Sequence, residues 1–310
     1  MVVLFGSWPT PVEPMPRLAR ALGLGDDDLW IKRDDLVGLG GGGNKVRKLE
    51  WTLGAAIDEG ATTVVTTGAP QSNHARLTAA AAARLGLDVV LVFPGSRGEG
   101  AGNLVLDGLF GATVVWSGDA EPAAVAADVA ASGGGVLIPF GGSSPVGARG
   151  YVDGGRELLA QVPDVDEVVV AVGSGGTMAG LVVALGVDRV LGVHCGAVDE
   201  PGRVVANLVA GVDGAVVEPR IRLDQVGAGY GVLSDPVMAA LELTARTEGI
   251  VLDPVYTGRA MAGLVAAVRE GSVAAGRRTV FLHTGGLPGL FGHPEAVARA
   301  LAGAVDEPWS

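Results

Sequence analysis

Short β-branched runs alternate with segments of helical periodicity between residues 62 and 283 of the chain. Such alternation is typical of parallel βαβ units in a doubly wound α/β sheet. Binding sites in such sheets lie in the loops that follow the carboxyl ends of the strands. The predicted strands cover residues 62–67, 87–93, 112–116, 136–140, 168–172, 190–194 and 279–283, and the predicted helices cover residues 73–85, 104–110, 121–131, 144–161, 177–185, 236–248 and 258–270.

One stretch ahead of this series combines a flexible loop with a helix start. Gly40–Gly43 can adopt positive φ angles and let a ligand approach the backbone closely. Asn44 is a favoured N-cap residue, and apolar residues follow it at helical spacing until Gly60. We therefore expect Lys45 on the first turn of a helix, where the helix dipole disfavours a cation and lowers the amine pKa. A neutral amine is what Schiff-base chemistry requires, whereas the alternative is an ordinary solvated lysine.

Composition and net charge limit the domain organisation and the kinds of partner that the chain can have. With 310 residues, of which 48% are hydrophobic and 18% charged, the chain fits one large or two closely packed globular α/β domains. The net charge of −12 argues against general binding to nucleic acid or to an anionic membrane, because both need basic patches. The single cysteine, Cys195, excludes an intramolecular disulfide. It suits a reducing compartment, and no targeting signal is visible, so we expect a cytoplasmic protein.

The loop Gly173–Thr177 follows an apolar predicted strand and opens a predicted helix. Residues 168–187 carry no charge, but the glycine turn in their middle favours a buried strand, turn and helix over a membrane span. Backbone amides at the start of a helix form an anion pocket suited to a phosphate, and Thr177 can add a hydroxyl. A purely structural turn is the alternative. The loop is not a dinucleotide fingerprint, because Met178 stands where the third glycine is required.

A second loop, residues 68–74, places Ser72 and Asn73 at another junction of strand and helix. An ordinary helix cap is the alternative for both residues. Ser72 and His74 make a poor hydrolase pair, because the GxSxG elbow is absent and residues two apart on a helix do not face each other. The four histidines are scattered without metal-ligand spacing, so we expect no metal site.

Five stretches together resemble one family. The chain is similar to the D-cysteine desulfhydrase and 1-aminocyclopropane-1-carboxylate deaminase group of pyridoxal phosphate enzymes, which have the tryptophan synthase β-like fold (fold type II). The resemblance implies two open, twisted parallel sheets. It also implies a small domain over residues 48–154, a large cofactor-binding domain over residues 1–47 and 155–310, and a homodimer. The matching stretches are IKRDDLVGLGGGGNKVRKLE, TTGAPQSNHAR, GSGGTMAGL, LDPVYTGRAMAGL and FLHTGGLPGLFG.

The same resemblance implies a role for each matching residue. Lys45 would hold the aldehyde of pyridoxal 5'-phosphate, and the Gly173–Thr177 loop would cradle its phosphate. Ser72 and Asn73 would meet the substrate carboxylate and the cofactor ring oxygen. The implied catalytic residues are Lys45, Ser72, Tyr256 and Tyr230, and the implied cofactor-binding residues are Lys45, Asn73, Gly173, Ser174, Gly175, Gly176, Thr177, Thr257 and Thr284.

Two threonines favour one activity within this family. The cyclopropane deaminases typically carry glutamate at the position of Thr257 and leucine at that of Thr284. We therefore expect α,β-elimination from D-cysteine or a related β-substituted amino acid, with pyruvate, ammonia and sulfide as products. Ala75 and Leu77 depart from the family pattern close to the carboxylate site, which leaves substrate size and chirality open. The alternatives are a cyclopropane deaminase, a non-catalytic homologue that binds the cofactor, and a sugar- or nucleotide-binding protein.

Overall fold

The computed structural model describes residues 1–98 and 100–303 of the chain. These residues form ten strands and twelve α-helices. The strands are β1 (Val12–Pro14), β2 (Leu29–Arg33), β3 (Thr63–Thr67), β4 (Asp88–Phe93), β5 (Thr113–Trp116), β6 (Val136–Leu137), β7 (Glu167–Val172), β8 (Val190–His194), β9 (Arg220–Arg222) and β10 (Thr279–His283). The helices are α1 (Pro16–Ala21), α2 (Lys45–Asp58), α3 (Asn73–Leu85), α4 (Asn103–Leu109), α5 (Pro122–Gly133), α6 (Pro145–Gln161), α7 (Gly176–Leu185), α8 (Pro201–Asp213), α9 (Asp235–Glu248), α10 (Thr257–Arg269), α11 (Leu287–Phe291) and α12 (Pro294–Ala302).

The strands form two separate sheets. The larger sheet has the order β1-β2-β10-β7-β8-β9, in which only the β1–β2 pair is antiparallel. The smaller sheet has the order β5-β4-β3-β6 and is parallel throughout. The predicted doubly wound α/β architecture is thus confirmed. All strands of the smaller sheet lie within residues 63–137, inside the range predicted for the small domain, while the exact domain limits stay a prediction.

Both faces of the central strand β7 are buried, which explains its uninterrupted apolar sequence. Successive side chains of a strand point to opposite faces. Val168, Val170 and Val172 accordingly pack in the core with α6 and α7. Val169 and Ala171 belong to the core on the other face, beside α9 and α10. The residues described include no helix long and apolar enough to cross a membrane.

One strand prediction was largely wrong, and the difference shapes the site. We predicted a strand over residues 136–140, but only Val136–Leu137 pair with β3. Pro139 has no N–H to continue a ladder, and the chain turns into a short 3₁₀ helix at Phe140–Gly142. This turn brings the carbonyl oxygen of Gly141 to the start of α2.

The sequence pattern also missed elements at both sides of the larger sheet. No element was predicted before Gly41, where β1, α1 and β2 lie, and the irregular region predicted after residue 194 contains α8 and β9. Strand β2 was hard to predict because Lys32, an apparent surface residue, is fully buried and pairs with Glu157 of α6. Buried charges of this kind occur only when they are paired.

A buried ionic cluster fixes helix α2 against the larger sheet. The Asp34 carboxylate, directly after β2, accepts hydrogen bonds from Arg47 Nε at 2.8 Å and from Thr10 Oγ1 at 2.7 Å. The Tyr151 hydroxyl of α6 donates to the same carboxylate. Arg47 Nη2 also donates to Glu157 at 2.8 Å. Because Arg47 lies two residues after Lys45, this cluster positions the first turn of α2.

Candidate active site

Loops at the carboxyl ends of strands from both sheets face one cavity, which we call the inner pocket. The loop after β3 contributes Ser72 and Asn73, the loop after β7 contributes the glycine turn, and the residue after β10 is Thr284. The start of α2 closes the cavity between them. Of the residues predicted from the sequence, the following line the pocket: Lys45, Ser72, Asn73, Gly173, Ser174, Gly175, Thr177, Tyr230, Tyr256 and Thr284.

Two predicted residues do not line the inner pocket. Gly176 is buried directly behind it, as the first residue of α7. Thr257 is fully buried, and its hydroxyl donates to Asp253 Oδ1 at 2.7 Å and accepts from the Asp253 amide. The hydroxyl of Thr257 is therefore used within the start of α10, and the structure does not bring it to the pocket.

Lys45 begins α2, as predicted, but Asn44 does not cap this helix. The Asn44 side chain makes no capping hydrogen bond, and its Nδ2 instead donates to Thr177 Oγ1 at 2.9 Å. Burial of the Lys45 amine lowers its pKa to about 8. The predicted direction of this pKa shift is thus confirmed, and desolvation, which the sequence did not reveal, is its largest cause.

Lys48 is a second amine in the pocket, and the sequence analysis missed it. Its Nζ donates to the Gly141 carbonyl oxygen at 3.1 Å, and Lys45 Nζ donates to the same oxygen at 3.2 Å. Burial, together with the nearby Lys45 amine, holds the pKa of Lys48 well below its usual range. The spacing of three residues, which places two side chains on one face of a helix, is the signal that would have found it.

The glycine turns leave room for the side chains of the pocket. A Cβ atom on Gly141, whose φ is 63°, would lie 2.0 Å from Ser174 Oγ. A Cβ atom on Gly176 would lie 2.7 Å from Ser143 Oγ and 3.0 Å from Lys48 Nζ. Any larger residue at either position would therefore displace a polar group of the pocket.

Hydrogen bonds behind the pocket turn its hydroxyl groups into donors. Ser143 Oγ accepts from Lys48 Nζ at 2.9 Å and from the Gly176 amide at 3.1 Å. Since both lone pairs are used, its own proton goes to Ser174 Oγ, 2.7 Å away. The Ser174 proton is then available to a ligand. The Thr177 hydroxyl, which accepts from Asn44, is available in the same way.

The loop after β3 adds two more donors. Ser72 Oγ accepts the Ala75 amide at 3.2 Å, so it caps α3 as the sequence also suggested, and its proton stays available. Asn73 Oδ1 accepts from Asn103 Nδ2 at 3.2 Å. The Asn73 amide nitrogen is therefore the end available to a ligand. Asn103 is fully buried at the start of α4, and it escaped the sequence analysis because it lies far from Asn73 along the chain.

Two tyrosines form the outer wall of the pocket. The hydroxyl oxygens of Tyr230 and Tyr256 are 2.7 Å apart, and the rings pack edge to face with their centroids 6.2 Å apart. Burial raises the pKa of Tyr256 well above its usual range, so this hydroxyl carries its proton at neutral pH. It is therefore a hydrogen-bond donor or a source of a proton.

Some residues of interest lie outside the pocket. Ala75 and Leu77, which we expected close to the carboxylate site, are fully buried in the core of the smaller sheet and do not line the pocket. Cys195 is fully buried, and burial raises its pKa to about 12, so its thiol is not ionised at neutral pH. Within residues 1–98 and 100–303, no three His, Cys, Asp or Glu side chains are grouped to hold a metal ion.

The resulting pocket is built for an anion. Two lysine amines, two or more hydroxyl protons and the amide of Asn73 converge on it, beside the N-terminus of α7. No Asp or Glu occurs among the described residues that line it. Buried donors without acidic partners predict a ligand that carries several negative oxygens.

Comparison with known proteins identifies the group that this pocket fits. A family model described as "Pyridoxal-phosphate dependent enzyme" matches residues 3–285. The chain belongs to this family. Pyridoxal 5'-phosphate is thus its cofactor. The phosphate matches the donor-rich pocket, and the aldehyde matches a buried amine with a lowered pKa.

Two curated relatives and two solved structures show how close the similarity is. The chain is 42% identical over 319 residues to a "Putative 1-aminocyclopropane-1-carboxylate deaminase" of Pyrococcus abyssi, covering 95% of this chain and 94% of that one. It is 40% identical over 312 residues to a D-cysteine desulfhydrase of Salmonella typhi, covering 92% and 94%. The crystal structure of a homologue of 1-aminocyclopropane-1-carboxylate (ACC) deaminase superposes with a TM-score of 0.88 at 37% identity, covering 96% of this chain and 95% of that one. A threonine deaminase of Solanum lycopersicum, with a TM-score of 0.71 at 20% identity, covers 95% and 88% and shares the fold.

These comparisons confirm the predicted fold type II architecture and the predicted dependence on pyridoxal phosphate. They also confirm the resemblance to the desulfhydrase and deaminase group. The comparisons do not identify the substrate, because the chain is 42% identical to the relative named as a putative deaminase and 40% identical to the relative named as a desulfhydrase.

Proposed function

We propose that this enzyme catalyses α,β-elimination from D-cysteine or a related β-substituted amino acid. One molecule of substrate and one of water give pyruvate, ammonia and sulfide. The observation that carries the proposal is the donor-lined pocket, in which a buried amine faces an anion site. The bound cofactor supplies an electron sink that makes the α-proton of an amino acid acidic.

We propose the following roles for the residues that would hold the cofactor. Lys48, Ser174, Thr177 and the amides of the Gly173–Gly176 turn bind the phosphate at the start of α7. The Asn73 amide nitrogen and the Thr284 hydroxyl would hold the ring of the cofactor. Because a threonine cannot supply a full charge to the ring as a carboxylate can, the bound cofactor would be a mild electron sink suited to expelling a good leaving group.

The remaining residues act on the substrate. Lys45 is the residue that would hold the cofactor aldehyde, and its amine would take the α-proton as a general base. The Ser72 hydroxyl binds the substrate carboxylate. The Tyr256 hydroxyl, which keeps its proton at neutral pH and contacts Tyr230, donates a proton to the departing sulfur. Thr257 supports the desulfhydrase assignment less than Thr284 does, because its hydroxyl lies outside the pocket.

A panel of substrates tests the proposal. The purified enzyme is incubated with D-cysteine, L-cysteine, β-chloroalanine and the cyclopropane amino acid, and the keto acid is identified. We expect pyruvate and sulfide from D-cysteine. Release of 2-oxobutyrate from the cyclopropane amino acid without sulfide from D-cysteine would make the enzyme a deaminase, an activity favoured by the 42% identical relative. Cofactor absorbance that changes with each compound but no keto acid would identify a non-catalytic homologue.

We also propose a cytoplasmic homodimer, as the family resemblance implies. The lone, fully buried Cys195 is compatible with a reducing compartment. Light scattering after size-exclusion chromatography measures the oligomeric state directly, and a mass of one chain would refute the dimer.

Asn103 provides a test of the role given to Asn73. Replacing Asn103 with alanine removes the hydrogen bond that orients the Asn73 amide. We expect the dissociation constant of the cofactor to rise about 2- to 10-fold, which is the effect of one lost hydrogen bond. Titration of the apoenzyme by absorbance measures it. Val105→Ala, on the exposed side of the same helix, is the matched control, and equal affinities for the two variants would contradict the role.

A further inference from the structure

A second cavity adjoins the inner pocket, and we call it the outer chamber. We infer that the outer chamber receives the β-substituent of the substrate and accepts neutral or cationic substituents larger than a thiol in preference to anionic ones. This inference rests on the proposed function, because it assigns the leaving-group side of the same site.

The two cavities are continuous. Ala69, Asn73, Tyr230 and Tyr256 line both of them, whereas Lys45 and Ser72 line only the inner pocket. A substrate whose amino group and carboxylate are held near Lys45 and Ser72 therefore has its β-carbon on the side of the tyrosines. The outer chamber is the free space beyond them.

The chamber is much larger than a thiol needs. Its volume is about 440 Å³. By the same measure a single water molecule, close in size to a thiol, needs only about 10–15 Å³. A substituent of several heavy atoms on the sulfur would fill part of this space, which the thiol of cysteine alone would not.

The charges around the chamber oppose an anion. Asp253 and Glu295 line it, and none of its described lining residues is an arginine or a lysine. The Asp253 carboxylate is buried and accepts hydrogen bonds from the amides of Val255 and Tyr256 at 3.0 and 2.9 Å. Glu295 is exposed at the rim.

Away from the wall shared with the inner pocket, the two polar side chains Gln71 and His293 already have hydrogen-bond partners. The Gln71 amide donates to the Ala101 oxygen at 2.9 Å, and its oxygen accepts the Asn103 amide. His293 Nδ1 accepts the Ala296 amide at 3.3 Å, so its Nε2 is the donor to the Gly231 oxygen, 2.8 Å away.

The N-terminus of α12 also borders the chamber and by itself would attract an anion. Three features reduce this attraction. Pro294 has no N–H, the Ala296 amide is capped by His293, and Glu295 places a negative charge in the first turn. Glu295 is thus the lining carboxylate whose charge can be removed without breaking the hydrogen bonds that Asp253 accepts from the amides of Val255 and Tyr256.

Matched derivatives of cysteine test the inference on the holoenzyme. The S-carbamoylmethyl and S-carboxymethyl derivatives have nearly the same shape but differ by one negative charge, and the S-(2-aminoethyl) derivative is cationic. Each, with one water, gives pyruvate, ammonia and the corresponding thiol. We expect kcat/KM for the carbamoylmethyl and aminoethyl compounds to lie within about tenfold of that for cysteine. We expect kcat/KM for the carboxymethyl compound to be at least about tenfold below that of its neutral isostere, because Asp253 and Glu295 repel its additional carboxylate.

Two variants locate the effect. In Glu295→Gln, kcat/KM for the neutral carbamoylmethyl derivative is expected to exceed that for the anionic carboxymethyl derivative by only about threefold or less, since the variant removes the charge at the rim. Val255→Phe fills part of the chamber. It is expected to lower kcat/KM for the carbamoylmethyl derivative, relative to kcat/KM for cysteine, by about tenfold. Glu242→Gln, on α9 in an ion pair with Arg246 and outside both cavities, is the control and should leave both ratios unchanged.

The outcomes separate this inference from the proposed function. Equal kcat/KM for the two isosteres, or turnover of cysteine with none of its derivatives, would overturn the role of the chamber and leave the elimination intact. The role of the chamber would also be overturned if Glu295→Gln and Glu242→Gln reduced the kcat/KM ratio of the two isosteres to the same extent. If no form of cysteine releases pyruvate, the proposed function itself fails.

Discussion

Replacing Lys45 with alanine is expected to lower kcat by at least about 10²–10⁴-fold, the usual contribution of a positioned general base. It should also abolish covalent attachment of the cofactor, because this amine, whose pKa is lowered to about 8, lines the pocket beside the anion site. The measurement is borohydride reduction followed by mass spectrometry of the unfolded chain. The wild-type protein should carry a cofactor adduct, and Lys45→Ala should carry none.

Lys48→Ala is the matched control for this prediction. Lys48 shares the Gly141 oxygen with Lys45 but is assigned to the phosphate. The variant should keep the covalent adduct and bind the cofactor more weakly. An adduct that survives in Lys45→Ala and disappears in Lys48→Ala would exchange the roles of the two lysines.

Replacing Asp34 with alanine is expected to lower the free energy of unfolding by about 3–5 kcal/mol. The carboxylate is completely buried, and its loss leaves the Arg47 guanidinium without its main partner in the core. Chemical denaturation measures the change. Asp224→Ala is the control, because Asp224 forms an exposed ion pair with Arg222, and such pairs contribute less than about 1 kcal/mol. Equal losses for the two variants would contradict the role of the buried cluster.

The same cluster gives the stability a defined pH dependence. Burial alone would raise the pKa of Asp34, but the charge of Arg47 and the surrounding hydrogen bonds hold it below its usual value. A carboxyl group with a lowered pKa in the folded state contributes stability above its unfolded pKa, about 3.9. This contribution is lost as the pH falls below that value. We therefore expect the difference between wild type and Asp34→Ala to shrink in acid.

Regular elements with clear boundaries were predictable from the sequence. Helix α3 covers residues 73–85 as predicted, because Ser72 caps its start and Gly86 ends it in the left-handed conformation. Strands β8 and β10 also have the predicted limits. Elements that depend on distant partners were not predictable, as β2 shows, since Lys32 is buried with partners in Thr10, Glu157 and Gln161.

The same division holds for the candidate site. Lys45 and Ser174 could be predicted as site residues, because the loops that contain them match motifs of the same family. Asn103 was not found, because its role depends on a contact with Asn73 that lies far away in the sequence. Lys48 was overlooked although its spacing of three residues from Lys45 places both side chains on one face of α2. Thr257 shows that a motif match alone can also mislead. Its position matches the family motif, but its hydroxyl bonds to Asp253 and does not reach the pocket.

The pocket takes its groups from two sheets with separate cores, and this division has a consequence for partial unfolding. The Gly173–Gly176 turn, which we propose binds the phosphate, follows β7 of the larger sheet, whereas Ser72 and Asn73 follow β3 of the smaller one. Cooperative units of a protein can open independently of one another. An excursion that melts only the smaller sheet would displace Ser72 and Asn73 while the glycine turn after β7 stays in place, so the proposed contacts to the amino acid would be lost before those to the phosphate.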